Sequence, residues 1–582
     1  MMKNNYIQKC KELLSNNKRA VILGCVFVVL QALVSIASSI FSAYYGIDVA
    51  LVSRSPDKLI FASVIILTLG ILETILFHLM YRRGIKVCKT LGVEVRGKVF
   101  DKAIYLDMDY HNHHASGAIL NTIDYDVDLF SNGVTWTLPM LLRSMARIIV
   151  CFMIVTILNP KLSIILWIIA PVFGVISFFA SKKVGDIHEK RRRVNKQRIA
   201  YINEGIMGVK TIKSLNLEEN AKEEFAVFNK KYLKYRMQQM CFMQVFWRAF
   251  DIAFYGALAA LFIMSYKLNV SYGELYLYYT LFRLCLNSIT DLSNNVDAFS
   301  ESVVSTNKVY SLLKYDPIIK DRETTIDKKD DLVGNIEFKN ITFTYPKGET
   351  VLNEFNLTIP SKTKVAIVGK TGSGKSTIAS LMFRFYEPTG GEILIDGLDY
   401  TNYTIQYLHS QIGFILQEPF LFDDTILNNV KYGKLNASEE EVVEACKIVG
   451  AHEFISKLKD GYNTNIGEGG IILSIGQKQL LSFARLVLSN PNIVILDEAT
   501  SNIDSHTEKI IQKNIDTLFK DKTCLYIAHR LSTIKNVDKI IYLEKGKIIE
   551  EGSHKELMKL DGKYATLYNN QFVESNLKKI LE

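Results

Sequence analysis

Gly369-Lys370-Thr371-Gly372-Ser373-Gly374-Lys375-Ser376-Thr377 follows the apolar run Val365-Ala366-Ile367-Val368 and leads into Ile378, Leu381 and Met382 at helical spacing. The order is strand, glycine loop, helix. A loop of this composition turns consecutive backbone N–H groups inward and adds the positive end of a helix, so it is built to hold phosphate oxygens. Lys375 is placed to reach β- and γ-phosphates, and the Ser376 hydroxyl to complete a Mg²⁺ shell. Gly369, Thr371, Gly372, Ser373, Gly374 and Thr377 complete the expected cradle. From Asn335 onward short β-rich runs alternate with helical ones, which predicts an α/β domain around this loop.

A second stretch, Asn492-Ile493-Val494-Ile495-Leu496-Asp497-Glu498, is an apolar strand tipped by two acids. An ordinary strand end is the plain reading, but a P-loop upstream favours a chemical one. Asp497 is expected to hold Mg²⁺ through water and Glu498 to polarise an attacking water. Phosphoryl transfer asks for in-line positioning and charge neutralisation more than for covalent help. Lys375, the metal and a polar partner such as His529 supply these.

The first 300 residues are of another kind. The chain has 582 residues, too many for one core, and is 48% hydrophobic. Its mean hydropathy is +0.12, and the apolar excess lies before Asp316. Apolar runs long enough to cross a bilayer occur at about 20-45, 58-81, 134-157, 162-181, 245-266 and 275-298. Lys3, Lys9, Lys11, Lys18 and Arg19 against Glu12 favour a cytoplasmic N-terminus. Segment 46-58 is charge-balanced and Asn159-Pro160-Lys161 is short, as external turns should be. Segments 82-133 and 182-244 are long, and the second is basic, with Arg191-Arg192-Arg193. A basic run between two spans reads as orientation charge and solvated helix rather than a nucleic-acid site.

The periodicity carries the second span on from Asp57 to about Leu106, about 75 Å of helix against an apolar thickness of about 30 Å. Helical stalks are therefore expected, with short connecting helices near His111-Asn112-His113-His114-Ala115-Ser116-Gly117 and Gly208-Val209-Lys210-Thr211-Ile212-Lys213 that could lie against another domain. The histidines lack cysteine or paired acidic ligands at metal-site spacing. Eight scattered cysteines without a CxxC pair imply a reduced chain. The expected organisation is a helical membrane domain over 1-315, a polar linker over 316-334, an α/β domain over 335-572 and a tail over 573-582.

Leu473-Ser474-Ile475-Gly476-Gln477 resembles the LSGGQ signature of ATP-binding cassette proteins. With six spans ahead of one cassette, the chain resembles a half-transporter of the ABC exporter type. The resemblance covers nearly the whole sequence and implies further roles. Tyr345 would stack on adenine, Gln417 would lie in the Q-loop and touch Mg²⁺, Asp504 would lie in the D-loop, and His529 would be the switch histidine. Glu468 would sit in a loop that meets the opposite membrane bundle. Ser474, Gly476 and Gln477 would approach ATP held by a second cassette, with Ile475, where the family has glycine, facing away. ATP and Mg²⁺ are then the cofactors, and the partner is a second half-transporter chain, a homodimer being favoured slightly over a heterodimer.

The expected activity is ATP-driven export of amphipathic small molecules, lipids or peptides across a bacterial cell membrane, with both termini cytoplasmic. An importer on the same scaffold is the alternative. Ionisable residues within spans are costly and are functional candidates by default, here Glu73, His78, Arg143, Arg147, Arg248, Asp251, Arg283 and Asp291. Arg143 and Arg147 share a helical face and either line a substrate cavity or pair with acids on neighbouring helices. Tyr272, Tyr276, Tyr278, Tyr279 and Phe282 read as an interfacial aromatic belt or a stacking site for flat ligands.

Overall fold

A computed structural model describes residues 2–14, 17–322, 325, 331–346, 348–417, 419–497, 519–528 and 534–570. The chain divides into two units, Met1–Tyr105 with Ala115–Tyr315, and Leu106–His114 with Asp316–Glu582.

The first unit is helical. Its helices are α1 (Met2–Leu14), α2 (Lys18–Leu51), α3 (Pro56–Ile104), α5 (Ser116–Leu158), α6 (Pro160–Met207), which continues through Pro171, α7 (Val209–Ser214), α8 (Glu218–Lys267) and α9 (Tyr272–Leu313). Starts are marked chemically. Pro56 and Pro160 stand in first turns, where a missing N–H costs nothing, and Asn159 and Ser271 cap α6 and α9. α3 runs 49 residues, close to the stretch expected from the periodicity for the second span. Among the described residues, α2, α3, α5 and α6 are long and apolar enough to cross a membrane, while α8 offers a shorter apolar stretch, Phe254–Lys267.

Small residues let these helices approach. A Cβ on Gly133 would come within 1.8 Å of Ser302 Oγ, and one on Gly273 within 2.2 Å of the Ala43 carbonyl oxygen. At that second contact Asp48 closes the start of α9, accepting from Ser271 Oγ at 2.6 Å and from the Gly273 N–H at 2.7 Å. A carboxylate against a helix N-terminus is favourable. The buried Asp126 accepts from Ser305 Oγ at 2.6 Å and from Lys308 Nζ at 3.2 Å.

The second unit is α/β. A parallel core runs in the order β9-β3-β8-β7-β6, from β3 (Lys364–Val368), β6 (Ile412–Ile415), β7 (Ile493–Asp497), β8 (Thr523–Ile527) and β9 (Lys539–Glu544), with β10 (Lys547–Gly552) antiparallel at one edge. Alternate residues serve two cores. Val365, Ile367, Ile493, Ile495, Leu525 and Ile527 pack toward the antiparallel sheet formed by β1 (Ile336–Thr344), β2 (Thr350–Ile359), β4 (Gly390–Ile395) and β5 (Leu398–Asp399). Ala366, Val368, Val494, Leu496, Cys524 and Tyr526 pack toward helices from the 426–489 region. Burial on both faces explains why these strands are apolar throughout. The helix α4 (Met108–His113) groups with this unit.

Candidate functional site

The parallel strands carry the expected residues out at one edge of their sheet. β3 ends at Val368 and opens into the P-loop, β7 ends on Asp497, β6 ends two residues before Gln417, and β8 ends two residues before His529. Because β3 and β7 both pair with β8 and β6 pairs with β7, the four C-termini form one rim, the place where ligands bind open α/β sheets. Glu498, Asp504 and His529 lie outside the described residues.

The loop itself holds Gly369, Gly372 and Gly374 at φ of +153°, +81° and +105°, conformations that suit glycine. A Cβ on Gly369 would also stand 2.2 Å from the Leu543 carbonyl oxygen. α10 (Lys375–Met382) follows directly, capped by Gly374. Lys375 is 4% exposed and its ammonium donates to the carbonyls of Gly369 at 2.9 Å and Lys370 at 3.0 Å, inside the cradle. Ser373 is buried with a hydroxyl that makes no hydrogen bond to any described residue, while Ser376 and Thr371 are exposed. A buried hydroxyl without a partner beside a ring of inward amides suits a triphosphate.

Tyr345 stands over this helix, its hydroxyl 3.2 Å from Thr377 Oγ1 and its ring edge-on to Phe343 and Tyr386, with centroids 4.8 and 5.1 Å away. Tyr386 escaped the sequence reading. Its hydroxyl accepts from Asn112 Nδ2 at 2.8 Å, across 274 residues of sequence, so the aromatic shelf and α4 meet at one phenol. Burial raises this phenol above its ordinary range, and it stays protonated at neutral pH. Asp107 caps α4 through the Tyr110 N–H at 3.0 Å and accepts the Ile318 N–H at 2.7 Å, seating the start of the linker. Arg384, at the end of α10, is fully buried and donates to the Tyr403 and Lys320 carbonyls while pairing with Glu387 at 2.9 Å. The signal for these contacts was present in Arg384-Phe385-Tyr386-Glu387-Pro388, a charged and aromatic run just beyond the P-loop helix.

The signature opens a helix as well. Ser474 caps α11 (Ile475–Ser489), its hydroxyl oxygen accepting from the Gln477 N–H at 3.2 Å, while Gln477 Oε1 accepts from the Ser474 N–H at 2.9 Å. This capping box fixes the backbone, and the Ser474 hydroxyl hydrogen remains available to a further acceptor. Gly476 is buried, and Ile475 is 50% exposed. Glu468 stands exposed on the preceding turn.

In the helical unit six of the eight candidate charges pair, while His78 and Arg283 are exposed. Arg147 lies 3.7 Å from Glu73, which also accepts from Gln31 Nε2 at 3.3 Å. Arg143 lies 3.6 Å from Asp291, and Arg248 lies 3.3 Å from Asp251 one turn along α8. The aromatic candidates divide. Tyr278 is buried and donates to the Val155 carbonyl at 3.1 Å, Phe282 is buried, and Tyr272 and Tyr276 are exposed. His113 and His114 each place Nδ1 2.9 Å from a carbonyl of the preceding turn, an arrangement internal to α4 and its end.

Comparison with known proteins agrees with both units. Residues 21–289 match the ABC transporter transmembrane region and residues 352–501 the ABC transporter ATPase family model. An uncharacterised ABC transporter ATP-binding protein of Bacillus subtilis, YfiC, is 30% identical over 96% of this chain and 93% of its own. The putative multidrug export ATP-binding/permease protein YgaD of the same organism is 33% identical over 82% of this chain and 83% of its own. An ATP-dependent lipid A-core flippase of Legionella pneumophila is 33% identical over 83% of each chain. The solved structure of a bacterial Atm1-family ABC exporter with ATP bound superposes at a TM-score of 0.80, covering 96% of this chain and 99% of that one at 25% identity. The chain belongs to the ABC transporter family, as an exporter half-transporter that joins a membrane region to an ATPase domain.

Proposed function

We propose that two copies of this chain, each with six membrane crossings and both termini in the cytoplasm, form an exporter in the bacterial cell membrane that moves amphipathic molecules as ATP is hydrolysed between their cassettes. The observation that carries this reading is the pairing of two anion-seeking helix starts in one domain. One is the P-loop start at Lys375. The other is the signature start at Ser474, whose capping box leaves a hydroxyl hydrogen to donate. A domain that must present both to nucleotide, yet binds one triphosphate at its own P-loop, works naturally as half of a reciprocal pair.

In the proposed cycle Tyr345 stacks on adenine, and Lys375 turns from the Gly369 and Lys370 carbonyls to phosphate oxygens. Ser376, Gln417 and Asp497 would hold Mg²⁺, which neutralises charge on the phosphates when bound. Glu498 orients the attacking water, and His529 donates toward the transferred phosphoryl group. Ser474, Gly476 and Gln477 of the second copy, positioned by Asp504, close the site. The exposed Glu468 carries the change to the membrane helices.

Proteoliposomes with outward-facing cassettes provide the test. Added ATP should drive headgroup-labelled amphiphile into the lumen, away from the cassettes. Movement toward the cassettes would make the protein an importer, and no movement of lipid, peptide or drug-like amphiphiles would remove the transport reading.

A further inference from the structure

Four arginines lie within the apolar runs of the sequence, and each raises the question of what neutralises it. Arg143 has Asp291, Arg147 has Glu73, and Arg248 has Asp251. Arg283 has no ion pair or hydrogen bond with any described residue. It stands exposed in the middle of the apolar part of α9, three turns beyond the Ser271 cap.

Its neighbours on the helix explain the placement. One face of α9 is buried, with Leu277, Tyr278, Leu281, Phe282, Cys285 and Leu286 in the apolar core of the unit. The other face presents Tyr276, Thr280, Arg283, Asn287, Asp291 and Asn294 at intervals of three and four residues. Of these, Arg283, Asn287 and Asn294 are exposed, and the Asp291 side chain is 45% exposed beside Arg143. A stripe of hydroxyl, amide and guanidinium groups has no place against lipid tails, where every polar group needs a partner. It belongs on a water-filled path through the membrane.

Building on the exporter reading, we propose that Arg283 is the anchor for an anionic headgroup, so that the transported amphiphile carries a phosphate or carboxylate. The guanidinium suits this task because its planar fork donates in parallel to two oxygens of such a group. The three paired arginines contribute no net charge alongside their acids. Arg283 is therefore the one of the four without a carboxylate among the described residues, and the amides of Asn287 and Asn294 supply donors along the same face. An apolar chain attached to the headgroup has the aromatic ring of Tyr276 one to two turns away.

Full-length protein in phosphatidylcholine nanodiscs, without nucleotide, is titrated with dodecyl phosphate and with dodecyltrimethylammonium, which share one chain and differ in charge. Wild type should bind the phosphate at least tenfold more tightly. Arg283→Gln should erase that preference, and Arg283→Lys should keep most of it. Equal binding of the two probes to wild type would overturn the proposal, as would a preference that survives in Arg283→Gln. A lowered melting temperature in Arg283→Gln with the preference intact would instead assign the guanidinium to a carboxylate of a second chain. Full competition by inorganic phosphate alone would show that the chain of the amphiphile is not read. Because binding is measured without ATP, these outcomes bear on Arg283, whereas failure of ATP-driven movement in vesicles bears on the exporter reading.

Discussion

Glu73 and Arg147 illustrate what a pair of residues decides inside the membrane. Their side chains are 29% and 12% exposed, and Arg147 also lies near the like charge of Arg143, so the site is balanced by opposed charges rather than by any one bond. Removing the cation alone strands a partly buried carboxylate that keeps the Gln31 amide. Arg147→Gln should therefore lose about 1–3 kcal/mol of stability, less than the full penalty for a wholly buried pair because Glu73 retains some solvent. The double variant Glu73→Gln with Arg147→Gln should be more stable than the single one, since no charge is left unpaired. Thermal unfolding in one detergent compares them, and equal melting points for single and double variants would mean the two groups do not interact. The sequence showed that these charges needed partners but left the choice open. Partner identity depends on which turns of α3, α5 and α9 face each other, and small residues such as Gly133 set that register.

At the level of elements, the loop after α10 links two features that are far apart in sequence. Tyr386 touches Tyr345, the residue proposed to stack on adenine, through its ring and Asn112 of α4 through its hydroxyl. Tyr386→Phe keeps the ring contact and removes the hydrogen bond. ATP affinity should stay within about twofold, while turnover falls by about two- to tenfold, the range of a single neutral hydrogen bond. Tyr386→Ala should weaken both. Equal affinity and turnover in Tyr386→Phe and wild type would reduce the Asn112 contact to incidental packing. The P-loop and the strand ending in Asp497 were legible from sequence because their chemistry is local, a strand followed at once by its functional residues. The Tyr386–Asn112 link was not legible, since nothing local to either residue names the other. The helix breaks near His111 and Gly208 were visible as interruptions in periodicity, and α4 and α7 form there.

For the molecule as a whole, a helical membrane region ahead of one cassette was readable because membrane and cytosol impose different compositions on the two halves. α8 and α9 are less apolar than the other long helices, and α9 is so because its polar stripe interrupts the run. Substrate chemistry was the least legible feature, because it rests on side chains that gain meaning only when their neighbours are known. The shared site makes a prediction at this scale. Gly476 is buried at the first turn of α11, and Gly476→Asp would place a carboxylate where the reading puts the γ-phosphate of the other copy. Steady-state hydrolysis should fall by at least about tenfold while ATP still binds through Tyr345 and Lys375. A variant with full hydrolysis would mean that each cassette works alone.

In the proposed cycle this cassette hydrolyses ATP with Glu498 orienting the attacking water, and transport depends on that step. The direct measurement is ATP binding and hydrolysis by full-length wild type and Glu498→Gln, purified and reconstituted side by side. ATP affinity should be equal in the two proteins, hydrolysis should fall by at least about a hundredfold, and ATP-driven amphiphile movement should be lost in the variant. Hydrolysis by Glu498→Gln near the wild-type rate would contradict that cycle.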